Sequence, residues 1–351
     1  MLLPLDSPKP VRPGEELAPD LLLPYLLKHL PAASGSLEIA QFPHGHSNLT
    51  YLLSIGQDEF ILRRPPFGNR VKTAHDMNRE FQILTSLQHV YEPAPKPFLY
   101  CGDDAILGAP FYIMERRRGI ILRAKTAPDP QTLRAAAESL VENLALLHAI
   151  NYQAAGLAHF GRPEGYIERQ VLGWTKRYRD AQTEALPDLD RVAAWLDANR
   201  SPDSGAAVIH NDFKFDNLLL DPDDPSHVVA VLDWEMATIG DPLMDLGTTL
   251  AYWVEPNDPP PLQALIVGPT SQPGALTRLE IVARYEQAAH RTVANPLFYY
   301  IFGLYKVAVI VQQIYARYAR GATSDPRFAT MGSVVAALSQ GASLAIDSNH
   351  I

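Results

Sequence analysis

His210-Asn211-Asp212-Phe213-Lys214-Phe215-Asp216-Asn217, with Val231-Leu232-Asp233-Trp234-Glu235 after a short turn, is the stretch on which the reading of this chain depends. Asp212 follows the apolar run 206–209, so its carboxylate is offered where a strand gives way to a loop. Asn211 suits the unusual backbone angles that such a tight loop needs. Leu218-Leu219-Leu220 leads into the turn 221–225, and residues 228–232 return, so a hairpin brings Asn217 and Asp233 together. One amide oxygen and one carboxylate suffice for magnesium, which prefers oxygen ligands and keeps several waters. A base for a hydroxyl beside two such ligands is the equipment of phosphoryl transfer. Asp212 alone would read equally well as a turn cap; the ordered set favours the chemistry. His210 reads as a structural residue that holds the loop rather than a base. Lys214 either reaches the transferred phosphate or faces solvent. The Asp221–Asp224 cluster lacks the EF-hand positions and reads as a solvated turn.

The order His-x-Asp, then Asn, then Asp is that of the protein-kinase catalytic loop. Upstream, a nucleotide-binding half is expected in the matching order. His44-Gly45-His46-Ser47-Asn48 lies between two strand-like runs, where backbone amides and small hydroxyls can cover phosphates, although with one glycine it also reads as an ordinary turn. Arg63 ends the third strand and Glu80 lies on the following helix, a pattern that pairs a phosphate-binding cation with a carboxylate. Arg64 competes with Arg63 for that role.

Strand-like runs at 37–42, 49–55, 59–64, 97–100 and 111–114 surround a helix at 74–88, with turns at 56–58 and 102–104. Beyond residue 115 helical periodicity takes over, at 130–150, 166–183, 189–199, 276–290 and 296–318. The expected fold is α+β and two-lobed: residues 1–115 form an antiparallel sheet with one helix and an N-terminal helical extension, and 116–351 a mainly helical lobe. A ligand cleft is expected at their join. Pro-rich loops near 257–262 and 268–274 read as a substrate-side flap. Trp174, Tyr178, Trp253, Tyr300 and Tyr305 are candidate pocket residues, with core packing the simpler reading.

The 351 residues carry a net charge of −9, with 47% hydrophobic and 20% charged residues, the balance of an ordinary globular enzyme. That charge argues against a nucleic-acid partner. A single cysteine, Cys101, reads as buried and structural and fits a reducing cytoplasm. The N-terminus lacks the basic region of a signal peptide. The apolar run 298–311 is interrupted by Gly303 and Lys306 and is short of a membrane span, so a buried helix and no membrane partner are expected. The oligomeric state is not legible.

The chain resembles the aminoglycoside phosphotransferase (choline-kinase-like) family of small-molecule kinases, which share the protein-kinase-like fold. Within it, the chain is similar to the branch that includes the kinase domains attached to acyl-CoA dehydrogenases. The resemblance is carried by residues 45–51, 60–66, Arg79-Glu80, 111–115, 210–217, 231–235 and Gly240-Asp241-Pro242-Leu243-Met244-Asp245-Leu246. It covers about residues 35–250 and extends into the helix at 296–321. The resemblance implies ATP or GTP and Mg2+, with Asp212 as base and Asn217 and Asp233 as magnesium ligands. It places Gly45, Ser47 and Asn48 over the phosphates, Met114-Glu115 as the linker whose backbone holds adenine, and Asp241 and Asp245 as structural supports. Arg63 stands where protein kinases use lysine, and would bind phosphate as a fork. Asp233-Trp234-Glu235 replaces Asp-Phe-Gly, so the kinase activation switch is not implied. Glu235 would add a carboxylate near the metal or bond a loop amide.

The expected activity is therefore transfer of a nucleotide γ-phosphoryl group to a hydroxyl of a small molecule. Two other classes compete: a nucleotide-binding protein of this fold without turnover, and a protein kinase, against which the missing glycine-rich and Ala-Pro-Glu motifs argue. Aminoglycosides, choline-like alcohols, sugars, amino acids and hydroxyacyl thioesters all stand as acceptors, with the branch favouring a hydroxyacyl compound.

Overall fold

The computed structural model describes all residues except 1–2, 31–33, 44–47, 68–75, 264 and 324. Helix α1 (Pro19–His29) is followed by strands β1 (Leu37–Gln41), β2 (Leu49–Ile55) and β3 (Asp58–Arg64), helix α2 (Met77–Leu87) and strand β4 (Pro97–Cys101). A one-turn helix α3 (Asp104–Leu107) and strand β5 (Phe111–Glu115) follow. The five strands form one antiparallel sheet in the order β1-β2-β3-β5-β4. Gly56, at φ 63°, turns the chain between β2 and β3. Between β4 and β5 the sequence suggested only a turn. The structure builds α3 there because the Asp103 side chain caps it by accepting the Ala105 N–H, and Gly108 closes it at φ 72°.

Alternation along the strands divides the sheet into two faces. Leu53, Ile55, Leu62, Phe111 and Ile113 pack with Leu22 and Leu26 of α1. Ile61, Tyr112 and Met114 face the other way and join α2 in the large core that continues through the helical part. Arg63 shares this second face, and Arg64 must point from the first.

The rest of the chain comprises α4 (Pro130–His148), α5 (Tyr166–Ala181), α6 (Pro187–Ala198), β6 (Ala207–Ile209), β7 (Leu218–Leu220) and β8 (Val228–Val231). After these come β9 (Thr238–Gly240), α7 (Pro242–Ala251), α8 (Pro260–Gln263), α9 (Arg278–Ala289), α10 (Pro296–Ala319) and α11 (Met331–Ser348). The starts of α4 and α9 are written in the sequence. Asp129 accepts the Gln131 and Thr132 N–H groups ahead of α4, with Pro130 at the first helical position. Thr277 and Glu280 form a capping box on α9. The pairs β6–β9 and β7–β8 are two small antiparallel ribbons set among these helices.

Helix α10, at 24 residues, matches the helix expected at 296–318 and passes a membrane-span test by length and composition, as does the segment Pro326–Ser348. In the fold α10 is a core helix, packed on α7, α11 and α5. It crosses α7 closely, because Gly303 faces the Gly247 carbonyl and a Cβ on Gly303 would overlap that oxygen. Substituting Gly303→Ala is expected to destabilise the protein by at least about 1–3 kcal/mol. Denaturant titration would show this as a lower midpoint; an unchanged midpoint would mean that the crossing relaxes freely.

Candidate active site

The loop after β6 carries Asp212 and is fixed from below by the helical part. Asp245, in the first turn of α7 and fully buried, accepts the His210 and Asn211 backbone N–H groups, each at 2.6 Å. His148 at the end of α4 places Nε2 3.2 Å from Asp245 and Nδ1 2.7 Å from the Tyr285 hydroxyl of α9. Burial pushes the Asp245 carboxyl up, but His148, His210 and the backbone donors bring it below the usual carboxylate range. Asp241 caps α7 and accepts from Ser204.

Asn211 stands at φ 68°, the left-handed conformation that its residue type tolerates. Its Nδ2 donates to the Met236 carbonyl at 3.1 Å, while its own carbonyl and Oδ1 each accept from Lys306 Nζ at 2.9 Å. Burial pulls Lys306 down to about 8, partly offset by Asp245 and Asp212. His210 is buried with Nε2 2.9 Å from the Leu232 carbonyl, and burial lowers its pKa.

The Asp212 carboxylate accepts from Lys214 Nζ at 2.7 Å on both oxygens and from Asn217 Nδ2 at 2.8 Å. Side-chain exposures of 16% for Asp212 and 18% for Lys214 leave the pair reachable from the cleft while limiting its hydration. Lys214 also lies 4.3 Å from the Tyr252 ring centre. Burial pulls the Lys214 ammonium down, but Tyr252 and Asp212 outweigh it, so the lysine stays charged.

Asn217 closes a single 3-10 turn and enters β7, where its carbonyl accepts the Leu232 N–H at 2.8 Å, next to Asp233. The hairpin therefore brings Asn217 alongside Asp233, itself at φ 67°. Burial raises the Asp233 carboxyl, but Arg63 brings it below the usual range, so it is ionised at neutral pH. Trp234 is buried edge-on to His210, with Nε1 2.8 Å from the Val231 carbonyl. The donor set suits a magnesium ion: Asn217 turns its Nδ2 to Asp212 and so its Oδ1 away from it, and Asp233 supplies a carboxylate. Among the described residues no cluster of three or more His, Cys, Asp or Glu side chains forms a separate metal site.

From the sheet side, Arg63 Nη2 donates to Asp233 Oδ1 at 2.7 Å and Nε lies 3.5 Å from Glu80, which is nearly fully buried. The pairing of Arg63 with Asp233 is not among the contacts expected from the sequence. Arg64, on the opposite face, donates to the Pro65 carbonyl and stacks 3.6 Å from the Phe67 ring centre. Asn48 Nδ2 donates to Glu235 Oε2 at 2.7 Å, joining the β1–β2 connection to the strand end that bears Asp233. Gly45 and Ser47 lie outside the described residues. Met114 is buried at the end of β5, and the Glu115 N–H already donates to the Lys96 carbonyl at 2.8 Å, so that amide is not available to a base in this geometry. The Glu115 carboxylate pairs with Arg117 at 3.0 Å.

A small pocket opens beside Lys214, lined by Phe215, Thr249, Tyr252, Trp253, Val267, Gly268 and Thr270. The second Pro-rich loop thus borders the site. Of the five aromatic candidates, only Trp253 lines this pocket; Trp174, Tyr178, Tyr300 and Tyr305 are buried in the core. Tyr252 and Lys306 escaped the sequence reading. The signal for Lys306 was present, as a lone ionisable residue in an apolar helical run.

Comparison with known proteins matches this arrangement. The profile of the phosphotransferase enzyme family fits residues 38–280. Mouse acyl-CoA dehydrogenase family member 10 is 33% identical over 337 residues, which span 95% of this chain but only 31% of that protein. The chain thus corresponds to about a third of such a relative's length. An aminoglycoside phosphotransferase-like protein of Ralstonia eutropha superposes with a TM-score of 0.80 at 26% identity, covering 95% of this chain and 99% of that one. Choline kinase of Cryptosporidium parvum, at 15% identity, shares the fold with a TM-score of 0.61 over 94% and 97% of the two chains. With its kinase-like architecture and a family profile spanning most of its length, the chain belongs to the phosphotransferase enzyme family.

Proposed function

We propose that this chain transfers the γ-phosphoryl group of ATP, or of GTP, to a hydroxyl of a small molecule. The observation that carries this reading is the Asp212 carboxylate, held by Lys214 and Asn217 next to Asp233. Asp212 takes the proton of the acceptor hydroxyl as the acceptor oxygen bonds to the γ-phosphorus and the bond to the β-phosphate oxygen breaks, releasing the nucleoside diphosphate. Asn217 and Asp233 would hold a magnesium ion, which would neutralise charge on the phosphate oxygens. Arg63, kept in place by Glu80 and Asp233, adds its positive charge on the phosphate side of the site. Lys214 keeps the Asp212 carboxylate oriented and adds a positive charge where negative charge gathers.

For the acceptor we infer a hydroxylated acyl compound, free or as a thioester. The names of the relatives support this, and the described residues that line the small pocket beside Lys214 include no carboxylate. A nucleotide-consumption screen over hydroxyacyl thioesters, hydroxy acids, choline, sugars, homoserine and kanamycin, with Asp212→Ala as the blank, tests the assignment. Acceptor-dependent consumption is expected with the hydroxyacyl members and none above the blank with kanamycin; the reverse ranking would refute the acceptor class.

A further inference from the structure

Helix α10 carries an ammonium in its apolar middle. Lys306 is 2% exposed, and its neighbours Leu304, Tyr305, Ala308 and Val309 are all buried. Burying an ammonium is costly, and a methionine would fill the α7–α10 contact without that cost. Lys306 has three N–H donors, and they meet three neutral oxygens: the Asn211 carbonyl and Oδ1 at 2.9 Å each, and Thr248 Oγ1 at 3.4 Å. Two of the three belong to one residue, which stands in a left-handed conformation directly before Asp212. From the other side Asp245 takes the Asn211 N–H, and Met236 takes its Nδ2. Lys306 thus completes a clamp in which each polar group of Asn211 is held. The carbonyl it grips belongs to the peptide that joins Asn211 to Asp212, so rotation of that peptide would re-aim the Asp212 side chain.

We propose that Lys306 is a positioning residue for phosphoryl transfer, fixing the Asn211–Asp212 peptide and through it the direction of the Asp212 carboxylate. The proposal rests on the reading of Asp212 as the base. Lys306 touches neither the metal pair nor the phosphate-binding side chains, so its loss should alter turnover rather than nucleotide affinity. Displacing a reacting group by about 1 Å can cost about 100-fold in rate.

Hydrolysis of Mg·ATP, with water in place of the acceptor, is the readout, measured on the full chain as kcat and KM for ATP. Lys306→Met is expected to lower kcat by about 10–100-fold, with KM changed by no more than about twofold. Wild-type kcat in Lys306→Met, or a fall in kcat matched by an equal rise in KM for ATP, would overturn the proposal. If Lys306→Met does not stay folded, Lys306→Gln is judged by the same criteria. Asp212→Asn separates the two levels. If it hydrolyses ATP at the wild-type rate, the base assignment fails. If it is impaired while Lys306→Met is not, only the positioning role fails.

Discussion

Asp212→Asn is expected to lower acceptor phosphorylation by about 10²–10⁴-fold while leaving KM for the nucleotide within about twofold. The substitution keeps the side chain's size, removes its charge and its capacity to take a proton, and leaves one acceptor oxygen where the carboxylate offers two to Lys214 and Asn217. Arg63, Glu80, Asn217 and Asp233 are untouched, so the nucleotide side should bind as before. Steady-state kinetics of both substrates distinguish this from a general loss of structure, which would raise KM as well. Turnover within a factor of about two of wild type would remove Asp212 from the chemistry.

Asp245→Asn is expected to have the largest effect on stability, a loss of about 3–5 kcal/mol in denaturant unfolding. The carboxylate serves two backbone N–H groups and His148 at zero exposure. An amide in its place can accept with one oxygen only, and turns its own N–H groups towards donors. The pH dependence has a definite sign. The folded-state pKa of Asp245 lies below its unfolded value of about 3.9, so its stabilisation is fully present above that value and fades as pH falls through the folded one. Wild type should therefore lose more stability than Asp245→Asn on acidification below about pH 4. Equal stability of the two proteins at pH 7 would show that the catalytic loop does not depend on this carboxylate.

The sheet and the long amphipathic helices were legible because their patterns report which face is buried. Helix α7 was not, since all ten of its residues are buried and no polar face marks its period. Strand β9 is three residues long, too short for alternation to show, and α11 is built largely from small residues. At the site, Asp212, Asn217 and Asp233 announced themselves by order and spacing. The choice between Arg63 and Arg64 needed only the strand alternation, which the sheet register then supplied. What local sequence could not show is which distant groups meet: Arg63 with Asp233 across 170 positions, Asn48 with Glu235 across 187, and Lys306 with Asn211 across 95. These pairings are set by how the two parts of the chain fold back on each other.

Passage of a phosphoryl group from nucleotide to a small hydroxyl compound at Asp212 leaves a phosphorus signature. Phosphorus NMR of the protein with Mg·ATP and the hydroxyacyl panel tests it most directly. A new phosphomonoester resonance is expected that grows with ADP, requires both acceptor and magnesium, and is missing with Asp212→Asn. ADP and inorganic phosphate forming at one rate, with or without any acceptor and with or without Asp212, would contradict it.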